Sequence, residues 1–244
     1  DSTNGGAGFA VGASHARSSV TVDTNVTVGA GAVLTSGWKL LIQAVTRGDT
    51  RAYSKARAGG LGAGVNAESR ASENLTTRIL IQGSLIAENT LGIAGYVQPN
   101  GTSRGEASAR GLGADSSGND CGACGVNATG NVYIDVQEAG SDIELRGDEL
   151  TILARMGQDA NGNGGWLSAF ARSAAKALGA DSDATAYVGI RGGAFVHIPP
   201  GVVLTAWERM TLTAENVGLN ASVNSFANCG CLGGDTDSTA EIDY

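Results

Sequence analysis

The chain has little of what fills a thick globular core. Aromatic residues make up 5% of its 244 positions and there are two Met, against 38 Gly, so a core built on large rings is excluded and closely stacked backbone is favoured. Only three Pro occur, and the recurring Val, Ile and Thr runs exclude a disordered Gly-rich chain. Sixteen Lys and Arg are scattered against 24 Asp and Glu, a formal net charge of −8. With no basic stripe to neutralise phosphates, nucleic acid is not an expected partner. No apolar run approaches the roughly 20 residues that cross a bilayer as a helix; the longest, Lys39 to Val45, is strand-sized. The sequence opens at Asp1 without a basic-plus-apolar signal, which suggests a processed form or a piece of a longer polypeptide. Its acidic, Lys-poor, repetitive character points to an extracellular setting.

What the chain does have is a repeat. Ala56-Arg57-Ala58-Gly59-Gly60-Leu61-Gly62-Ala63-Gly64 returns as Ala109 to Asp115, as Ala175 to Asp181 and as Cys229 to Asp235, with an eroded copy at Gly5 to Gly8. Counted from Gly6 through Gly62, Gly113, Gly179 and Gly233, the spacings are 56, 51, 66 and 54 residues. The repeats divide as about 5–58, 59–109, 110–176 and 177–230, with a partial copy at 231–244, all within one elongated domain spanning 1–244. The tail from Leu232 to Tyr244 follows Leu178 to Ile190 at a constant offset of 54.

Between anchors, short β-branched runs alternate with period two, the mark of strands. They include Val26 to Val28, Ile79 to Ile81, Val132 to Ile134 and Tyr187 to Ile190. Runs in which Ala alternates with polar residues follow, such as Arg51 to Ala58 and Ser168 to Ala175. The second of these would also suit a short helix, but its companions carry Gly and Thr at matching places, and a strand is preferred. Units of this size cannot bury a face alone and stack on copies of themselves. The expected fold is therefore an all-β solenoid (β-helix) of four two-coil repeats, with coils of about 25 residues and a length on the order of 40 Å. The alternative is a β-sandwich or jelly roll. In either case Leu-Gly-Ala, lacking a phosphate-binding Lys, reads as a structural pleat.

Candidate chemistry is sparse. Cys121 and Cys124, and Cys229 and Cys231, form two close pairs. Disulfides within each pair are expected, ahead of a four-thiolate zinc site. Asp159, Asn161 and Asn163, followed by Gly164, resemble the opening of a Ca2+ loop, yet Phe170 stands where the closing Glu would be, and an Asn/Gly-rich turn explains them too. No other cofactor pattern appears. His15 and His197 lie in different repeats without a nucleophile partner, and no catalytic residue is assigned. Asp142, Glu144, Asp148 and Glu149 read as a charged edge. Tyr53, Tyr96, Trp38, Trp166 and Trp207 could stack on sugars.

Val26 to Ala32, Gly59 to Gly64, Ile79 to Ile86 and Val188 to Ile198 together resemble the repetitive haemagglutinin-like β-solenoid surface proteins of bacteria, in style rather than through a diagnostic motif. The resemblance implies a rigid secreted scaffold that adheres or assembles, and it transfers no catalytic residues. The expected function is a non-enzymatic extracellular structural protein, stacking end to end into a fibre or forming a segment of a long surface adhesin. Its partners would be copies of itself or adjoining repeats of a longer chain, together with surface glycans. Gly5, Gly6, Ile242 and Tyr244 mark the expected assembly ends. A carbohydrate-binding or polysaccharide-cleaving β-helix is the alternative.

Overall fold

The computed structural model describes residues 2–5, 8–119, 124–137 and 142–244, which form strands joined by short turns with no helix among them. The chain winds in circuits. The first holds β1 (Ser2–Gly5), β2 (Phe9–Val28), β3 (Val33–Ser36) and β4 (Lys39–Arg47). The second holds β5 (Thr50–Gly59), β6 (Gly62–Ile81), β7 (Ser84–Ala87) and β8 (Thr90–Gln98), and the third β9 (Asn100–Arg110), β10 (Gly113–Gly118), β11 (Gly125–Val136) and β12 (Glu144–Met156). The fourth holds β13 (Trp166–Lys176), β14 (Gly179–His197) and β15 (Val203–Asn216), while β16 (Asn220–Cys229) and β17 (Gly233–Asp243) open a fifth.

Strands at the same station of successive circuits pair in parallel and build three sheets. Sheet 1 runs β1-β5-β9-β13-β16. Sheet 2 stacks β2, β6, the broken strand β10 and β11, β14 and β17. Sheet 3 stacks β3 and β4, β7 and β8, β12 and β15. The fold is the expected parallel β-solenoid. One detail differs, because each repeat makes one coil rather than two. Gly62 pairs with Gly113, Gly113 with Gly179 and Gly179 with Gly233, so the full repeat separates adjacent rungs. The extra turn expected within each repeat is absent because β2 and β6 each run 20 residues without a corner. Such a strand spans about 66 Å, while five rungs at about 4.8 Å rise only about 20 Å. This body is broader than it is tall. The eroded first copy is also out of step: Gly62 lies beside Phe9, not Gly6, and Gly6 falls outside the described residues.

Sheet 2 is long enough to be covered by two others. Its second half faces sheet 3 across an aliphatic core in which Leu75, Ile79, Ile81, Leu91, Ile93 and Leu150 are fully buried. Its first half faces sheet 1 across a separate core made almost wholly of alanine, including Ala56, Ala67, Ala107, Ala109 and Ala175. Here the walls nearly touch. A Cβ added at Gly118 would lie 2.6 Å from the Arg172 carbonyl oxygen of the opposite wall.

Serines tie these walls together once per coil. The Oγ of Ser54 donates to the Ser14 carbonyl at 2.5 Å, Ser103 to Ser69 at 2.9 Å, Ser173 to Ser116 at 2.6 Å and Ser225 to Ala184 at 2.6 Å. In each case a hydroxyl on sheet 1 reaches a backbone oxygen on sheet 2, which satisfies a polar group that alanine packing alone would strand.

Candidate functional site

The Leu-Gly stretch forms the turn from sheet 1 into sheet 2. The hydrogen-bond ladder continues straight through it. Leu61 N–H donates to the Gly8 carbonyl, Leu112 N–H to Leu61 and Leu178 N–H to Leu112, at 2.9, 3.0 and 3.1 Å. The turns are thereby stacked at strand spacing, as expected of a structural pleat. The leucine side chains, however, point outward: Leu61, Leu112, Leu178 and Leu232 are 56, 56, 58 and 88% exposed.

The two faces at the ends of the stack are the second conspicuous surface. At the first coil β2 has β6 as its sheet partner among the described residues, and its inward-facing Val20, Val22 and Val26 are half-buried. At the other end β17 has β14 as its sheet partner among the described residues, and Ile242 and Tyr244 are exposed. Beside β17 the aliphatic core itself opens. A cavity of about 480 Å³ is lined by Met156, Ile190, Leu219 and Tyr244. Of the expected assembly ends, Gly5 lies in β1 against Gly59, and Ile242 and Tyr244 lie on this upper face.

The Ca2+-like loop is closed by its own donors. Asp159 is buried, and its Oδ1 accepts the N–H groups of Asn161 and Asn163 at 2.9 Å each. Its Oδ2 accepts the Asn163 side-chain amide at 3.0 Å and the Arg47 guanidinium at 2.6 Å. Asn163 and the backbone N–H groups, with Arg47, hold this carboxyl below its usual range. In this arrangement the carboxylate is the hub of the turn's hydrogen bonds. Among the described residues no group of three or more His, Cys, Asp or Glu is arranged to hold a metal.

Cys229 and Cys231 are disulfide-bonded, and Cys124 is also oxidised; Cys121 lies outside the described residues. His15 and His197 remain apart, each pairing with a carboxylate one rung away, Glu68 at 3.0 Å and Asp135 at 2.8 Å. The aromatics singled out for stacking are dispersed. Tyr53 and Trp166 lie on sheet 1, while Trp38 precedes β4 and Trp207 sits in β15. Tyr96 is buried. Glu144, Asp148 and Glu149 lie along β12, where Glu144 pairs with Arg146 and Glu149 with Arg209.

Two interior residues went unread in the sequence. Glu73 projects inward where sheets 1 and 3 diverge, at a row filled by Val20, Ala128 and Ile190 in the other coils. Its oxygens accept Thr50 Oγ–H and Asn100 N–H, both at 3.0 Å. Burial, reinforced by nearby Asp49, pushes its pKa up to about 7. Asn119 repairs the broken strand. Between Gly118 and Gly125 the third coil has six residues where the second has only Glu68 and Ser69. The Asn119 side-chain oxygen accepts Ser69 N–H at 2.7 Å, taking the place of the missing backbone acceptor, and its backbone sits at φ 56°, which Asn tolerates.

No family model matches the sequence, and no curated protein or solved structure is significantly similar to it.

Proposed function

We propose that the chain is a non-enzymatic, extracellular structural unit, a β-solenoid block whose axial faces are continued by further coils of the same kind. Such continuation serves either a fibre or a segment of a long surface adhesin. The observation that carries this reading is the pair of terminal strands with one sheet neighbour each among the described residues, β2 on β6 at one end and β17 on β14 at the other, each leaving core-facing apolar side chains half-buried or exposed. Parallel strand edges present rows of free N–H and C=O groups, and natural proteins ordinarily blunt them. Solenoids usually end in polar capping coils. Here Val20, Val22 and Val26 of β2, half-buried, and Ile242 of β17, exposed over Val188, are apolar residues of the core rows at the places where a cap would cover them. A heterologous contact between such ends generates an open filament rather than a closed ring. The disulfide at Cys229 and Cys231 suits an oxidising compartment.

Electron microscopy of the purified chain at rising concentration is the test. Particles that lengthen in steps along the stack axis are expected. Monodisperse, compact monomers at high concentration would contradict the proposal.

A further inference from the structure

The exposed leucines form a ridge along the side of the stack, separate from its ends. On the sheet 2 side, each is followed by an outward-facing glycine: Gly62, Gly113, Gly179 and Gly233 stack in register. Ridge and trough run together at one strand spacing, closed at the first coil by Phe9, which pairs with Gly62. Beyond the trough on the same face come Asp115, Asp181 and Asp235 in a second registered row, with Asp183 beside Asp237 in the next.

The opposite shoulder of the rim has the other sign. On the outer face of sheet 1, Lys55, Arg57, Arg110, Arg172 and Lys176 line a groove with a single acid, Glu106. Lys55 and Arg104 pair with that Glu, whereas Arg57, Arg110 and Lys176 make no ion pair among the described residues. In a chain of net charge −8, the cations are thus gathered on one side of an apolar ridge and aspartates on the other.

We propose that this rim binds a second copy of the chain side by side, the leucine ridge of each lying in the glycine trough of its partner. The required operator is a two-fold axis parallel to the stack. It keeps rungs of equal spacing in step, and it carries the cationic shoulder of one copy, Arg110 and Lys176, onto the aspartate rows of the other. A two-fold perpendicular to the stack would instead lay aspartates against aspartates, which is repulsive. The arrangement is isologous, so one surface serves both copies. It buries an apolar ridge that monomeric proteins seldom leave in water. This contact uses neither axial edge and does not depend on end-to-end growth.

Particle width in electron micrographs of the full chain tests it, because side-by-side pairing doubles width whereas axial growth changes length alone. Particles two bodies wide are expected in the wild type, with Leu112→Glu/Leu178→Glu raising the concentration at which they form by about tenfold or more while the far-ultraviolet circular dichroism is unchanged. Asp181→Lys alone should weaken the pairing, and adding Lys176→Asp should restore it, a rescue that misfolding cannot mimic. A wild-type chain whose particles stay one body wide at about 100 μM, or pairing indifferent to the paired leucine change, would overturn the proposal. Axial growth is read separately, as particle length in the same micrographs, and should persist in the rim variants.

Discussion

The two halves of the cross-section reach the same burial by opposite means. Between sheets 2 and 3, Leu, Ile and Val hold the walls apart and fill the gap, so stability comes from apolar area removed from water. Between sheets 1 and 2, alanines let the walls close until backbone meets backbone, and serine hydroxyls supply cross-bonds. A thick core suffers when a side chain is shortened, and a thin one when a side chain is lengthened.

That contrast can be broken most forcefully by exchanging the two rules. Leu150→Ala, which empties a fully buried site in the aliphatic half, should cost about 2–5 kcal/mol in urea unfolding. Ala175→Leu, at a fully buried site in the thin half, should cost about 3 kcal/mol, since no space exists for the added atoms and the walls must part. If Ala175→Leu is instead tolerated, the walls are not in contact.

Glu73, at the boundary between the halves, sharpens the comparison through pH. Its carboxyl titrates at about 7 in the fold against 4.5 ordinarily. The folded state therefore holds the proton more tightly than the unfolded chain. Stability from this site is unaffected below about pH 4.5 and declines as pH rises towards 7, by about 3 kcal/mol in all. Urea midpoints measured across that range should fall in the wild type and flatten in Glu73→Gln.

Smaller effects separate the hydrogen-bond devices of the thin half. Asn119→Ala removes the acceptor of a buried Ser69 N–H and should cost about 1–3 kcal/mol. It should also speed exchange of the Ser69 amide proton. Ser103→Ala deletes one cross-wall bond and should cost about 1 kcal/mol. In the aliphatic half the nearest counterpart is Thr46, whose hydroxyl crosses from sheet 3 to the Thr76 carbonyl in one coil.

The contrast also explains what the sequence could and could not show. The aliphatic half was legible, since Val132 to Ile134 and Leu150 to Leu153 alternate large apolar with polar residues. In the thin half, Asn66 to Glu73 alternates Ala and Ser with polar residues, a pattern with almost no hydrophobic amplitude. The length of β6 was therefore hidden, and with it the one-coil repeat. Leu-Gly-Ala was legible as a recurring turn, yet the outward aim of its leucines was not, because an apolar residue at a turn reads as a buried anchor until the stacking of turns is known. Glu73 breaks the apolar row in only one coil, and Asn119 acts through a side chain standing in for backbone; neither leaves a periodic trace. The 54-residue phase match between Leu178 and Leu232 was legible, and the register of β14 with β17 places those segments side by side.

Fibre diffraction from aligned assemblies of the chain reaches the central proposal most directly. Solenoid blocks joined through their axial edges should give a sharp reflection near 4.8 Å along the fibre axis. A reflection of that spacing at right angles to the axis, or material that forms no elongated assemblies at all, would contradict it.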